Sequence, residues 1–290
     1  LRIHDKENDT QASRPKFSVV IPCYNSEKTI SEAVDSVLKQ SETDFELIIV
    51  DDGSTDGTSR IVSSMEDDRI KLVRQQNCGA SAARNAGISA SRGDFVAFLD
   101  HDDMWFPSFL EKAAEVLQKE PQTDMIVADQ FWQTRPGEFD GTFYECANFD
   151  ASKKSMAFED LIKRNVISTS ACIVRKETLL QCGCFDETLK VAEDYLLWLT
   201  IAARRNKIVV LKEPMGVSRR HTSGSLVKDK LKMAEYGLLC LDKFFKENGR
   251  LLAPAELRAF NKMRRNTYFG LLYRRFRRKM SGAGQNQVQK

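Results

Sequence analysis

The sequence predicts an α/β fold: a mostly parallel, twisted sheet flanked by helices, followed by a C-terminal helical extension. Three observations carry this. Short β-branched runs alternate with helix-length stretches through the N-terminal third, which requires right-handed βαβ units. The strand runs are continuously apolar, as strands covered on both faces are. Beyond residue 225 strand signals stop and only helical periodicity remains.

In order along the chain, residues 17–21 form a first strand expected to stop at Pro22. Ser26 is expected to cap a helix with Ile30, Ala33, Val34, Val37 and Leu38 on one face. A second strand, 46–50, is closed by the turn 51–57. Then come a helix at 58–65, a strand at 70–73, a small-residue helix at 81–90 and a strand at 94–99. The regularity weakens after Trp105. Helix 108–119 and strand 125–128 precede residues 130–153, whose Gly, aromatic and polar content reads as an irregular loop. A short helix at 158–164, a strand at 171–174, a buried helix at 193–204 and a last strand at 207–211 follow. Helices at 227–246 and 254–279 complete the chain. Residues 1–15 read as a flexible tail, 226–280 as the helical extension and 281–290 as a disordered tail.

Composition sets the class. The chain has 290 residues, 42% hydrophobic and 29% charged, ordinary for a globular protein. No apolar run approaches a membrane span; the longest of interest, Phe95-Val-Ala-Phe-Leu99, is strand-sized. The first residues lack an apolar signal region, so the expected compartment is the cytoplasm. Seven scattered cysteines include a Cys182-Gly-Cys184 pair too tight for usual zinc spacing, and free thiols are expected. Net charge is +3, yet Arg258 to Lys290 holds ten basic residues and no acidic one. The rest of the chain is therefore acidic. A basic tail suits an anionic partner, a membrane surface before nucleic acid, and no nucleic-acid-binding fold is visible. As a helix, 268–280 mixes aromatics with five basic residues and fits a membrane interface; a packing helix or dimer contact is the alternative.

Polar clusters fall at the strand ends, where ligands of such sheets sit: Pro22-Cys-Tyr-Asn25, Asp51-Asp-Gly-Ser54 and Asp100-His-Asp-Asp103. The three carboxylates of the last cluster repel unless a cation compensates, and a hard divalent ion with substrate phosphates would do so. A turn of helix-capping aspartates before Pro107 is the plainer reading. Asp51-Asp52 is either turn chemistry or an acceptor for a nucleobase or ribose. Arg84 either contacts base or phosphate or pairs with Asp51 or Asp52. Glu193-Asp194 opens the buried helix, as the helix dipole favours, or supplies a general base. His221, between arginines and Thr222, is structural or faces an anion.

Phe17-Ser-Val-Val-Ile-Pro-Cys-Tyr-Asn25, Val50-Asp-Asp-Gly-Ser-Thr-Asp56, Ala83-Arg-Asn-Ala-Gly87 and Phe98-Leu-Asp-His-Asp-Asp103 together resemble the family-2 glycosyltransferases of the GT-A fold. Gly183-Cys-Phe-Asp-Glu187 and Ala192-Glu-Asp-Tyr-Leu-Leu-Trp198 resemble that family's acceptor-side segment. The resemblance runs from about Phe17 to Ser225 and implies a GT-A sheet with a nucleotide-binding half (16–104) and an acceptor-binding half (105–225). It implies inverting transfer of a sugar from a nucleotide-sugar, a UDP-sugar by preference, to a glycan or lipid-linked glycan acceptor in surface or secreted glycan synthesis. Pro22, Tyr24 and Asn25 would line the nucleotide pocket, with Asp52 on the base and Arg84 nearby. Asp100 and Asp102 would form the DxD pair: Asp100 toward ribose and metal, Asp102 on the Mn²⁺ or Mg²⁺. Asp103 would be a further metal-side candidate. Asp194 matches the catalytic base, with Glu193 beside it, and His221 a residue holding metal or pyrophosphate. His101 replaces a small residue inside the DxD motif, and Cys184 the second glycine of a Gly-Gly-Phe pattern.

Two alternatives fit less well. A sugar nucleotidyltransferase needs a Gly-rich phosphate loop where Pro22-Cys-Tyr-Asn25 stands. An inactive glycan- or nucleotide-binding module is expected to lose some of Asp100, Asp102 and Asp194, and all three are present.

Overall fold

The computed structural model describes residues 14–135, 137–219 and 230–285. Its first strand, β1 (Phe17–Cys23), is buried along its whole length. Successive residues enter different cores: Phe17, Val19 and Ile21 join one cluster and Val20 another. In β2 (Phe45–Asp51) Leu47 and Ile49 likewise oppose Ile48 and Val50. A core on each face is why these strands are continuously apolar.

Between them, α1 (Ile30–Leu38) buries Ile30, Ala33, Val34 and Val37. Ser26 caps it only through its carbonyl, which accepts from the Thr29 and Ile30 N–H groups. Next come α2 (Thr58–Ser63), β3 (Ile70–Arg74), α3 (Ala80–Ala90) and β4 (Phe95–Phe98). The order β3-β2-β1-β4 is parallel throughout. α3 lies so close to β1 that a Cβ on Gly87 would stand 2.3 Å from Val20 Cγ1.

Pro22 does not end β1; it pairs in register with Val50. Val20 accepts from Leu99 N–H on the β4 side, and Cys23 from Asp52 N–H on the β2 side. By that alternation the missing N–H of Pro22 faces past Phe98, the last paired residue of β4, so no ladder bond is lost.

The second half adds β5 (Met104–Trp105), α4 (Phe109–Lys119), β6 (Met125–Arg135), β7 (Glu138–Thr142), α5 (Phe143–Ala147), β8 (Ser155–Met156), α6 (Phe158–Leu161), β9 (Cys172–Arg175), α7 (Lys176–Gln181), α8 (Glu193–Ala203) and β10 (Ile208–Arg219). The sheet continues β4-β9-β6-β10-β5. β9 is antiparallel to both neighbours. Residues 130–153 are not an irregular loop: β6 and β7 form a hairpin, and Thr142 and Glu145 form a capping box on α5. β10 runs past Leu211 because register shifts around Pro214 absorb the break in its apolar pattern.

α9 (Lys230–Asn248) packs on α8, and α10 (Pro254–Gln285) on α9. Phe158, Phe244 and Phe260 meet in one aromatic cluster, with centroids 5.5 Å (158–244) and 5.1 Å (244–260) apart. Residues 281–285 continue α10, where composition suggested disorder.

Candidate active site

The loops after β1, β2 and β3 are tied together by side chains. Asn25, at φ 50°, accepts from the Thr55 N–H at 2.8 Å and donates its own N–H to Ser54 Oγ at 2.9 Å. Asp52 is buried, and both its oxygens are engaged: Gln75 Nε2 (2.7 Å) and Cys78 N–H (2.9 Å) donate to one, Gly79 N–H (2.8 Å) to the other. Asp52 thus anchors the 75–79 turn that leads into α3. Gly53 is required beneath it, because its φ is +80° and a Cβ would stand 2.9 Å from the Asn77 nitrogen. Tyr24 projects from this rim, 46% exposed, while Pro22 is buried in the sheet.

Arg84 does not pair with Asp51 or Asp52. Its buried guanidinium donates to Asp100 Oδ1 at 2.7 Å and to Glu193 Oε1 at 3.0 Å. It lies 5.4 Å from the centre of the Phe185 ring. Burial opposes its charge, but the two carboxylates raise its pKa well above the ordinary arginine value. Burial would likewise raise Asp100, yet Arg84 holds its carboxyl below the usual range. Asp103 has no cationic side-chain partner among the described residues: burial, with Asp100 and Asp102 alongside, pushes it up to about 8. It accepts from the Arg219 N–H at 2.9 Å, so β10 fixes the back of the loop. His101 Nδ1 lies 3.0 Å from Thr29 Oγ1, at the start of α1.

Asp194 sits in the first turn of α8, entered through Ala192 at φ 65°. A non-glycine residue held there is backbone strain two residues before Asp194. Asp194 accepts from Tyr195 N–H at 2.6 Å, Asn165 Nδ2 at 3.1 Å and Thr169 Oγ1 at 3.4 Å. Burial and the charge of Glu193 push its carboxyl up to about 6, against Tyr195 N–H, Arg84 and Asn165. Asn85 grips the facing segment: it donates to the Phe185 carbonyl at 2.9 Å and accepts from the Phe185 N–H at 3.0 Å. Cys184, at φ 58°, occupies a left-handed position that favours glycine.

Sequence reasoning missed residues 165–170. Ser170 Oγ accepts from the Asp100 N–H at 3.0 Å, and its carbonyl accepts from Trp105 Nε1 at 2.6 Å. With Asn165 and Thr169 on Asp194, this segment spans the two acidic centres. Its polar run Ser168-Thr-Ser170 was the available signal. It precedes β9 rather than following it, and β9 is antiparallel, so its N-terminal end reaches the edge that the parallel strands reach with their carboxyl ends.

The residues fit a divalent cation. Asp100 and Asp102 offer hard oxygen donors, and Asp103, raised by burial and then by these two carboxylates, stands beside them in the same loop. Among the described residues no group of three or more His, Cys, Asp or Glu side chains is arranged to hold an ion. His221 lies outside the described residues.

Residues 18–181 match the model of Glycosyl transferase family 2. The chain belongs to this family. WfgD of Escherichia coli, a UDP-Glc:alpha-D-GlcNAc-diphosphoundecaprenol beta-1,3-glucosyltransferase, is 33% identical over 190 residues, 65% of this chain and 70% of WfgD. In eight of the curated relatives the matched stretch spans between 29% and 73% of their own length, less than two thirds in five of them. The crystal structure of S. aureus TarS residues 1–349 superposes with a TM-score of 0.67 at 25% identity, covering 86% of this chain and 71% of that one. TarS has also been solved with UDP-GlcNAc. The mannosyltransferase PcManGT from Pyrobaculum calidifontis, solved with GDP-Man and Mn²⁺, shares the fold at 21% identity and a TM-score of 0.62, covering 87% of this chain and 74% of that one. The family-2 chain thus has the GT-A type of fold, with its C-terminal helices added.

Proposed function

We propose that this family-2 protein is an inverting, metal-dependent glycosyltransferase. It moves a sugar from a nucleotide-sugar, a UDP-sugar in the first instance, to an acceptor hydroxyl in surface or secreted glycan synthesis. The observation that carries the reading is the convergence of Asp100, held ionised by Arg84, with Asp194, whose proton affinity is raised. A departing nucleoside diphosphate and a hydroxyl losing its proton need two such different acidic centres.

Pro22, Tyr24, Asn25 and the turn anchored by Asp52 form the nucleotide end. Asp100 and Asp102 would hold Mn²⁺ or Mg²⁺; His221 is assigned there by sequence position alone. The bound cation supplies Lewis-acid stabilisation of charge on the leaving diphosphate. Glu193, beside the base, accepts from Arg84 and fixes it. Asp194 takes the proton of the attacking hydroxyl, and Asn165 and Thr169 aim its carboxylate. Attack on the face opposite the leaving group inverts the anomeric carbon. The β6–β7 hairpin, with Phe131 and Phe139 rings 5.5 Å apart, forms an acceptor-side wall. WfgD, by its name, acts on a diphosphoundecaprenol-linked sugar, and we assign this chain a lipid-linked glycan acceptor of that class. No helix among the described residues is long and apolar enough to cross a membrane.

Calorimetric titration of UDP with Mn²⁺, with EDTA, and into Asp102→Ala tests this. Cation-dependent binding that the variant loses is expected. Silence with UDP, GDP and dTDP alike would overturn the reading.

A further inference from the structure

Four large apolar side chains stand out of α10 within two turns: Tyr268 (47% exposed), Phe269 (57%), Leu272 (41%) and Tyr273 (62%). The spacings 268/272 and 269/273 place them on one face of the helix. The other face is spent in the core, where Phe260 and Leu271 are buried. One exposed Leu is ordinary, but a contiguous aromatic face marks contact with something apolar.

Charge narrows the partner. Every charged residue from Arg258 to the end of α10 is basic. Arg264 is held by Asp242 and Arg275 by Glu235. Lys262 and Arg265 have no acidic partner among the described residues. Arg265 and Tyr268 line a cavity of about 390 Å³ between α9 and α10, together with the Arg264–Asp242 pair. Aromatic rings flanked by uncompensated bases match the boundary of an anionic bilayer. A two-fold contact between copies through this face would set like charges together.

Placement relates the face to the chemistry. α9 runs alongside α8 in the same direction: Lys243 bonds Thr188 Oγ1 just before α8, and Asn248 reaches Thr200 near its end. α10 returns antiparallel, from Glu256 on Arg205 at the C-terminal end of α8, through Arg264 on Asp242, to Arg275 on Glu235. The aromatic face therefore lies at the end of the helical layer where α8 presents Glu193 and Asp194. We propose that α10 docks this face on an anionic lipid bilayer, setting the acceptor side of the site against the membrane. This rests on the lipid-linked acceptor assigned above, but its test reads separately.

The full chain is sedimented with phosphatidylcholine vesicles and with phosphatidylcholine–phosphatidylglycerol vesicles, at low and raised salt. The expected result is recovery with phosphatidylglycerol vesicles only, reduced by salt. A Lys262→Glu/Arg265→Glu variant should lower that partition about tenfold or more. A Phe269→Ser/Tyr273→Ser variant should lower it while leaving the melting temperature and UDP titration unchanged. Equal recovery with both vesicles, or none with either, overturns the proposal. So does a dimer in light scattering that Phe269→Ser/Tyr273→Ser dissolves. Sedimentation without binding of UDP, GDP or dTDP would support the docking face and defeat the transferase reading.

Discussion

Arg84 serves two carboxylates at once, and its buried Nε has no hydrogen-bond partner among the described residues. Arg84→Met should leave Asp100 and Glu193 uncompensated and destabilise the fold by about 3–5 kcal/mol; a wild-type urea midpoint would count against the bridge. Asp194→Asn should lower kcat by at least about 100-fold while leaving UDP affinity unchanged in calorimetry. In the wild type, kcat should fall as pH drops through about 6, as the base is protonated. The stability sign is opposite. The carboxyl is raised from 3.8 to about 6, so the folded state holds its proton more tightly, and this group's contribution to stability falls as pH rises through that window. Asp194→Asn should therefore raise stability at neutral pH by up to about 2–3 kcal/mol, readable as a higher melting temperature. Asp100, Asp102 and Asp194 were legible because each stands in a short acidic cluster at an element end. Asn165 and Thr169 were not: one hydrogen bond each, made across the fold, leaves no local pattern.

Among elements, α3 packs closely on β1, and Gly87→Val tests that contact. The added side chain meets Val20, so the helix must shift, costing about 1–3 kcal/mol in chemical denaturation. The shift moves Arg84 one turn away, so UDP binding should weaken too; unchanged stability and affinity together would refute the contact. The four parallel strands were legible because each is a short apolar run between turn residues. β6 and β10 were read too short for different reasons. β6 leaves the core after Gln130 and becomes half-exposed, losing the apolar signal while keeping its pairing. β10 passes Pro214 by shifting register, a backbone event that leaves no side-chain periodicity.

At the scale of the whole molecule, the two cores share one sheet, and α10 is pinned to the larger core by Phe260 and by the Arg205–Glu256 pair. Phe260→Ala should cost about 3–5 kcal/mol and lower a single calorimetric transition rather than split it, although the residue is far along the chain from the donor site. The shared guanidinium has a further consequence at this scale. In the proposed mechanism Asp100 faces the donor and Glu193 adjoins the base, and since Arg84 bonds both carboxylates, charge at either end should be felt at the other. Linkage makes such coupling reciprocal. By whatever factor cation binding at Asp100 changes the proton affinity of Asp194, protonation of Asp194 must change the affinity for the cation by the same factor.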